Sequence, residues 1–325
     1  MRRTRFGARL TAVALTLALA VTACGGTADS SVDEITVDWA YYNPVSLVLR
    51  EQGILEDALA EENISVNWVQ SDGSNKAIEF LNSGSVQFGS TAGAAALLAR
   101  INGSPIRSVY TYSKPEWTAL VTTADSDIEA VEDLRGRRVA VTRGTDPYIF
   151  LVRALADHGL TESDIEPVLL QHADGRTALI AGQVDAWAGL DPMMAEAELD
   201  EGARLFYRAP DLNTYGVLNV DEEFAEAHPE VVELVISAYE EGRQWALDHP
   251  DELAQILADA AGLSLEVAAV QLERTDLSDS TISDPQRETI LGAGLVLQES
   301  GVIESDVDVE AEVDDLLDPS WTATS

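Results

Sequence analysis

The chain has 325 residues, of which 57 are acidic and 20 are basic, so its formal net charge is -37 at neutral pH. This acidity excludes a nucleic acid as a partner, because phosphate binding requires a basic surface. Hydrophobic residues make up 46% of the chain, which is typical of a folded globular protein rather than a disordered one.

The beginning of the chain predicts an export signal followed by a tether. Residues 1–9 contain four arginines and no acid, and residues 10–21 contain no charge. The apolar stretch is shorter than the roughly 20 residues that a membrane span needs, so we predict a signal peptide over residues 1–23. Residues 24–34 are small and polar, which is typical of a flexible linker.

Cys24 is the only cysteine of the chain and stands directly after the predicted signal. The run Val21-Thr22-Ala23-Cys24 resembles the bacterial lipobox, which implies cleavage before Cys24 and a lipid on its sulfur. An ordinary secretory signal followed by an unpaired thiol is the alternative. We therefore expect a lipid-anchored protein on the extracytoplasmic face of the cell membrane. Without the signal, 16 basic residues remain against 57 acidic ones, a formal charge of -41.

From residue 35 onward, short apolar runs alternate with helical patterns, which favours an α/β fold with strands joined by crossover helices. In the first half we predict strands at 35–40, 65–70, 86–88 and 106–112, with helices at 45–52, 75–81 and 94–101. In the second half we predict strands at 138–141, 167–170 and 186–188, followed by helices that open near residues 147, 175 and 192.

Two extended segments, 118–123 and 215–220, flank the second half and are predicted to form a hinge between two lobes. The first lobe then comprises residues 35–117 and 216–325, and the second comprises residues 118–215. Beyond residue 220 the pattern is helical, with helices predicted at 221–227, 229–248, 250–261, 264–272 and 285–300. The acidic tail is expected to be a solvated helix or an extended segment, and its acids lack the spacing of a calcium-binding loop.

A ligand site is predicted at the edge of the sheets where the strand-to-helix loops meet. Helix starts at this edge favour a small anion, and the aromatic residues near it predict an aromatic wall. The predicted ligand contacts are Tyr41, Tyr42, Asn43, Ser71, Gly73, Ser90, Thr91, Ala92, Lys114, Trp117, Arg143, Gly144, Thr145, Asp146, Trp187, Asp191 and Tyr215.

Other roles compete for several of these residues. Helix capping is the competing role for each serine, threonine and aspartate, above all for Asp146, and core packing is the competing role for Trp187. Lys114 and Arg143 are the cations best placed to balance an acidic ligand, whereas Asp191 is suited to an amine or a hydroxyl.

Catalytic patterns are absent from the sequence. The four histidines are scattered without metal-ligand spacing, and we expect an ordinary loop role for His172. No nucleophile elbow, phosphate loop or Cys-His pair is present. We therefore predict a protein that is not an enzyme and that uses no cofactor and no metal.

Four runs carry a resemblance to a known family, and they lie at 81–89, 131–141, 184–192 and 224–232. In order and spacing they resemble the substrate-binding proteins of ABC importers for aliphatic sulfonates, nitrate and taurine, over residues 35–261. The resemblance implies a two-lobed type II periplasmic-binding-protein fold, in which hinged lobes each hold a mostly parallel sheet flanked by helices.

The family resemblance also implies partners and contacts. It implies a monomer that delivers a small molecule to a permease and its ATPase, and a lipid anchor that holds it at the membrane. It places ligand contacts in the loop after the first strand, at 89–93, around 143–146 and at Asp191. The chain departs from the family pattern at Gln87 and Leu190, near the expected site.

Three alternatives to the small organic anion stay open. In the first, the ligand is a heteroaromatic or cationic nutrient, such as a precursor of the thiamine pyrimidine. In the second, the protein presents its ligand to a signalling partner instead of a permease. The third is the related enzyme that makes the thiamine pyrimidine, but its cysteine-rich motif has no counterpart in a chain with one cysteine.

Overall fold

The strands of the chain form two separate sheets, and each sheet is flanked by helices. The computed structural model describes residues 32–321. The strands are β1 (Glu34–Trp39), β2 (Ser65–Gln70), β3 (Phe88–Ala92), β4 (Ile106–Pro115), β5 (Leu120–Thr122), β6 (Arg138–Val141), β7 (Glu166–Leu169), β8 (Ala186–Ala188), β9 (Arg204–Tyr207), β10 (Gly216–Asp221) and β11 (Thr275–Asp276).

The helices follow most of the strands in the first two thirds of the chain and succeed one another after β10. They are α1 (Pro44–Gln52), α2 (Ile54–Ala60), α3 (Ser74–Asn82), α4 (Gly93–Ile101), α5 (Asp146–Asp157), α6 (His172–Ile180), α7 (Met193–Glu201), α8 (Glu222–Ala227), α9 (Pro229–Asp248), α10 (Pro250–Ala261), α11 (Leu265–Glu273), α12 (Asp284–Glu299) and α13 (Val309–Leu316).

The first sheet has the strand order β11-β4-β10-β3-β1-β2, and the second has the order β7-β6-β8-β5-β9. In the first sheet β1 runs parallel to β2 and β3, whereas β10 runs antiparallel to β3 and β4. In the second sheet β6 runs parallel to β7 and β8, whereas β5 runs antiparallel to β8 and β9. The α/β fold is thus confirmed, but both sheets are mixed rather than mostly parallel.

The antiparallel strands have a topological cause. The chain passes from the first sheet to the second between β4 and β5, and it returns between β9 and β10. Each strand that follows a crossing enters its new sheet against the direction of the parallel strands. The segments 118–123 and 215–220, predicted as a hinge, therefore lie largely within strands β5 and β10, and residues 116–119 and 208–215 make the crossings.

Most predicted helices are confirmed, and their starts follow the rules of helix capping. The Asn43 side chain accepts a hydrogen bond from the Ser46 amide at 3.2 Å and so caps α1. Pro229 and Pro250 open α9 and α10, where the missing amide hydrogen costs nothing. The acidic tail contains α13, which buries Val309 and Val313 and exposes its acids.

Some elements were not predicted. Gly53, with φ of 70°, ends α1 and directly precedes α2, so one helical region of the sequence becomes two helices. The edge strand β9 is only half-buried and lacks the alternation that marks a strand. The strand predicted at 86–88 is instead β3 at Phe88–Ala92, whose residues are all buried.

The helices cover both faces of the first sheet and reach toward the second. The long helix α9 packs on α1 and α2, while α12 packs on α4 of the first sheet and on α5 of the second. The core alternates along β1, where Ile35 and Val37 are fully buried. Among residues 32–321 no single helix is long and apolar enough to cross a membrane, although α10 and α11, bent by 119° at their junction, reach that threshold when counted together.

Candidate functional site

A cavity of about 470 Å³ lies between the loop edges of the two sheets. Tyr41, Tyr42 and Ser71 line it from the loops that follow β1 and β2, while His172 and Asp191 line it from the second sheet. Ala261 and Leu263, at the end of α10, close one side with apolar surface. The predicted site at the sheet edge thus corresponds to a formed cavity with a wall from each half of the chain.

Two helices start beside this cavity without a side-chain cap. Gly73 precedes α3 and Gln171 precedes α6, and neither residue offers a side-chain acceptor to the first turn. The amide groups of an uncapped first turn carry the positive end of the helix dipole. Such helix starts are suited to bind a small anion.

Gly73, at the start of α3, lies against the His172 side chain of the second half of the chain. A Cβ atom at this position would lie 2.9 Å from His172 Nε2 and 2.9 Å from Asn75 Oδ1, so only glycine fits between the start of α3 and the start of α6. A Cβ atom at Gly144 would lie 3.5 Å from the Asn75 Cβ atom. The loop before α5 therefore contacts α3 as well, and three helix starts meet here.

His172 is a buried neutral ring at the start of α6. Thr142 donates its hydroxyl proton to the Leu170 carbonyl at 2.7 Å, so the 3.3 Å contact between Thr142 Oγ1 and His172 Nδ1 needs the ring proton on Nδ1. Burial lowers the pKa of His172 to about 3. Its Nε2 atom is then a hydrogen-bond acceptor without a partner among the described residues.

Asp191 is buried at the opposite end of the cavity and is tied to both halves of the chain. Its Oδ1 accepts the Ala195 amide of α7 at 2.8 Å, and its Oδ2 lies 3.4 Å from Arg274, which directly follows α11. Arg274 also pairs with Glu198 of α7. Burial raises the pKa of Asp191 to about 6, although the nearby Arg274 opposes the shift.

Asp146 joins the two crossing segments behind the cavity. Its carboxylate accepts hydrogen bonds from Trp117 Nε1 at 2.8 Å, from the Thr214 amide at 2.9 Å and from the Thr214 hydroxyl at 2.7 Å. Trp117 also meets Tyr42 edge to face, with 5.8 Å between ring centroids. Asp146, predicted as a ligand contact with capping as the competing role, thus binds the crossings; it neither lines this cavity nor caps its helix.

The structure moves three predicted contacts into a strand. Ser90, Thr91 and Ala92 were expected in a loop, but they lie inside β3 and are completely buried. Their small polar side chains resemble a glycine-rich loop in sequence, whereas they pack as the centre of a sheet. Asn43 is also fully buried and donates to Ser90 Oγ at 2.7 Å, so it faces this strand and not the cavity.

The two cations predicted to balance an acidic ligand are used elsewhere. Arg143 pairs with Glu162 and lies 5.2 Å from the centre of the Tyr148 ring, and its side chain is 54% exposed. Lys114 is exposed on β4, with its ammonium 5.9 Å from the centre of the Tyr215 ring. Neither residue lines the cavity, and the predicted roles of both in binding an anion lose their structural support.

Trp187 and Tyr215 are likewise placed in packing positions. Trp187 is fully buried in the core of the second sheet, where a Cβ atom at Gly175 would approach its Nε1 to 2.8 Å. Core packing, the competing role considered for Trp187, is the one that the structure supports. Tyr215 is 7% exposed, and its carbonyl accepts the Gly93 amide at 2.8 Å.

Sequence reasoning missed His172 of the cavity wall and also Arg274, which lies outside the wall and pairs with the wall residue Asp191. His172 was assigned a loop role, but it opens α6 and faces Gly73 across the cavity edge. Its position directly after β7 was the available signal, because the same rule selected the other loops. Arg274 comes from beyond the predicted sheets, and nothing local indicates its pairing with Asp191. No group of three or more potential metal ligands occurs in residues 32–321.

Solved structures share this architecture. The alkanesulfonate-binding protein SsuA from Xanthomonas axonopodis pv. citri, bound to MOPS, matches with a TM-score of 0.80 at 23% identity, over 87% of this chain and 98% of its own. The periplasmic aliphatic sulphonate-binding protein SsuA from Escherichia coli matches with a TM-score of 0.75 at 24% identity, over 91% and 94% of the two chains. These likenesses establish the fold.

Two sheets with a cavity between their loop edges are thus the architecture of the periplasmic-binding-protein fold. The NMT1/THI5-like family model matches residues 59–253, more than half of the chain, and the chain belongs to this family. An Escherichia coli (strain K12) protein named "Putative aliphatic sulfonates-binding protein" is 29% identical over 263 residues, which cover 80% of this chain and 82% of that protein.

Proposed function

We propose that this protein captures a small organic anion of the sulfonate class and delivers it to an ABC importer. The observation that carries the proposal is the meeting of the uncapped starts of α3 and α6 at the cavity edge. Their first-turn amides offer hydrogen bonds to a tetrahedral or planar oxyanion. The relatives named for binding sulfonates support the same ligand class.

Hinged closure is the mechanism that we propose for capture. Residues 35–117 with 216–325 form one lobe and residues 118–215 the other, with the crossing segments as the hinge. A ligand held between α3 and α6 touches both lobes, so it stabilises the closed state relative to the open one. The closed protein then docks on the permease.

Calorimetry with the purified protein tests the ligand class. Ethanesulfonate, taurine and nitrate are titrated separately, with choline and an aminopyrimidine as cationic and heteroaromatic comparisons. We expect micromolar sulfonate affinity, a binding free energy of about -8 kcal/mol, and a melting temperature that rises with ligand concentration. Sulfonates that release no heat and leave the melting temperature unchanged would contradict the proposal.

A heteroaromatic or cationic ligand is the second candidate, and the chemistry of the cavity wall favours it. Asp72 and Asp174 contribute carboxylates to the wall, and Tyr41 contributes an aromatic ring. The only arginine of this wall, Arg176, already pairs with Glu196 and Glu201. Binding of the aminopyrimidine or of choline, without binding of sulfonates, would establish this candidate.

Membrane anchoring through Cys24 is a separate part of the proposal, and Cys24 lies outside the described residues. We propose that the signal over residues 1–23 is removed and that the lipid on Cys24 holds the monomer at the extracytoplasmic face through the tether at 24–34. Labelling with a fatty-acid analogue should mark the wild type and not Cys24→Ser. A label that persists in Cys24→Ser would contradict the anchor.

The identity of the protein partner distinguishes delivery to an importer from a sensing role. Crosslinking in membranes is expected to join the protein to a permease that associates with an ATPase. Crosslinking to a signalling receptor instead would favour the sensor. Size-exclusion chromatography with light scattering tests the proposed monomer.

A further inference from the structure

A buried carboxyl group lies behind the cavity wall without a cation to balance it. Asp38, on β1, is fully buried. Its Oδ1 accepts the Ser90 amide and the Ser90 hydroxyl, both at 2.8 Å, and its Oδ2 lies 2.6 Å from Ser71 Oγ. No lysine, arginine or histidine is among the groups that act on it within the described chain. A buried carboxylate with hydroxyl partners alone is costly in its charged form.

The hydrogen bonds of Asp38 continue to the cavity wall. Ser71 Oγ lies 3.0 Å from the Tyr42 hydroxyl, and the Tyr42 hydroxyl lies 2.9 Å from the Ser90 carbonyl, which can only accept. Ser71 and Tyr42 both line the cavity. A chain of three contacts therefore runs from Asp38 through Ser71 and Tyr42 to the Ser90 carbonyl.

Counting protons along this chain distinguishes the two states of Asp38. If Asp38 is ionised, the Ser71 and Tyr42 hydroxyls supply two protons for three contacts. One of the three contacts is then not a hydrogen bond. If Oδ2 carries a proton, Asp38 donates to Ser71, Ser71 donates to Tyr42, and Tyr42 donates to the Ser90 carbonyl. Every contact is then a proper hydrogen bond.

We propose that Asp38 is held as a neutral carboxylic acid in the folded protein, and that its proton sets the direction of the Ser71 and Tyr42 hydroxyls on the cavity wall. Asp38 is thus a positioning residue for ligand binding. Loss of its proton reverses the Ser71 hydroxyl, makes the Tyr42 hydroxyl choose between Ser71 Oγ and the Ser90 carbonyl, and places a negative charge behind the wall.

The surroundings of Asp38 agree with a neutral acid. Burial, opposed by the hydrogen bonds from Ser71 and Ser90, raises the pKa of Asp38 to about 7. The titratable groups facing it are the phenols of Tyr42, Tyr112 and Tyr239, and the carboxylate of Asp72 faces Tyr42 in turn. Burial raises the pKa of all three phenols, which therefore stay neutral and offer no positive charge.

Stability measurements on Asp38→Asn test the proton without any ligand. Asparagine keeps an acceptor for Ser90 and a donor for Ser71, so it imitates the neutral acid. The two proteins should be closest in stability at about pH 4, the ordinary range of an aspartate. From there to about pH 7 the wild type should lose stability relative to Asp38→Asn, because its unfolded state releases the carboxyl proton that its folded state keeps, and the difference should level off at higher pH. A difference that does not change with pH would overturn the proposal.

Carboxyl ¹³C NMR of the wild type keeps the test valid if the variant folds poorly. The Asp38 carboxyl signal should titrate near neutral pH, and titration in the ordinary range of an aspartate, near pH 4, would overturn the proposal. Ser71→Ala provides a matched comparison, because it breaks the chain of contacts while keeping the carboxyl group.

The effect on binding rests on the proposed function and is measured with ethanesulfonate. We expect the affinity of the wild type to fall above pH 7 by up to about tenfold per pH unit, the limit that linkage to one proton sets. At every pH, Asp38→Asn should bind ethanesulfonate with the affinity that the wild type shows at pH 6. Asp191→Asn removes the charge of Asp191, a second buried carboxyl group, which lies in the wall itself. The dependence of affinity on pH that is due to Asp38 should persist in this variant.

The outcomes separate the two proposals. If ethanesulfonate does not bind at any pH, the sulfonate proposal fails, and the stability and NMR measurements still decide the state of Asp38. If it binds with a slope that Asp38→Asn does not remove, the positioning role of Asp38 is wrong.

Discussion

Gly73 shows how a single residue controls the distance between the two halves of the site. Its missing side chain lets the start of α3 lie against His172 and Asn75, with no room for a Cβ atom. The contact joins backbone from the first sheet with a side chain from the second. A side chain at this position must displace the Asn75 and His172 side chains or move the two helix starts apart.

We predict that Gly73→Ala weakens ligand binding by at least about tenfold, a loss of about 1.4 kcal/mol, because the anion can no longer reach both helix starts. Gly84→Ala is the matched control, since it also has positive φ, at 68°, but meets nothing within 4 Å. Both variants lose some stability from backbone strain. Calorimetry with ethanesulfonate measures the affinity, and equal affinities in the two variants would contradict the role of Gly73.

The neutral ring of His172 predicts a specific acid sensitivity. Its folded pKa, about 3, is below the ordinary histidine value of 6.5, so the stability that it contributes is present above pH 6.5 and is lost as the pH falls toward 3. Relative to His172→Gln, the wild type should lose about 2 kcal/mol between pH 6.5 and pH 5, at about 1.4 kcal/mol per unit. Urea unfolding at each pH measures the difference, and parallel curves would contradict it.

At the scale of elements, the helices beyond β10 connect the two sheets. Helix α12 packs on helices of both sheets, and Arg274 after α11 reaches Asp191 and Glu198 beside α7. Arg274 is 10% exposed and Asp191 is 1% exposed, so solvent screens this pair little. These contacts exist only while the two sheets are close together.

Arg274→Ala should therefore favour an open protein. Removal of the guanidinium leaves Asp191 buried without its cation, which costs about 3 kcal/mol or more in the closed state. We therefore expect a larger radius of gyration in small-angle scattering and weaker ligand binding. Arg287→Ala is the control, because Arg287 pairs with Glu310 and Asp314 on the surface of the first sheet's helices. An unchanged radius in Arg274→Ala would show that the pair does not hold the sheets together.

The sequence predicted elements well where one local signal decides them. Apolar alternation marked β1, and prolines marked the starts of α9 and α10. It failed at β3, because Ser90 and Thr91 satisfy their polar groups with partners distant in sequence, including Asp38 and Asn219. The loops at the sheet edge were selected by the sheet-edge rule. The pairing of Arg143 with Glu162 was not predicted, since it depends on a later 3-10 turn.

At the scale of the whole molecule, the excess of acids makes the protein repel itself. With 57 acidic residues against 20 basic ones, most carboxylates have no cation to pair with. Salt screens exposed charges beyond a distance of about 8 Å at physiological strength. Added salt therefore stabilises the compact state by screening its repulsion. The same screening weakens the surface ion pairs, but each of them contributes little to stability.

We predict that the melting temperature rises by several degrees between 20 mM and 500 mM NaCl, since screening relieves the repulsion of the compact state. Scanning calorimetry at both salt concentrations, at constant pH, measures the shift. A melting temperature that falls with salt would mean that the surface ion pairs outweigh the net charge.

The position of β10 between β3 and β4 governs the order in which the polypeptide folds. A nascent chain that ends before residue 216 has made β3 and β4 but lacks the strand that joins them. Both strands then present unpaired edges while residues 116–215 are synthesised, and such edges invite aggregation. The first sheet is completed late, because β10 pairs with strands that are distant in sequence and such contacts form slowly.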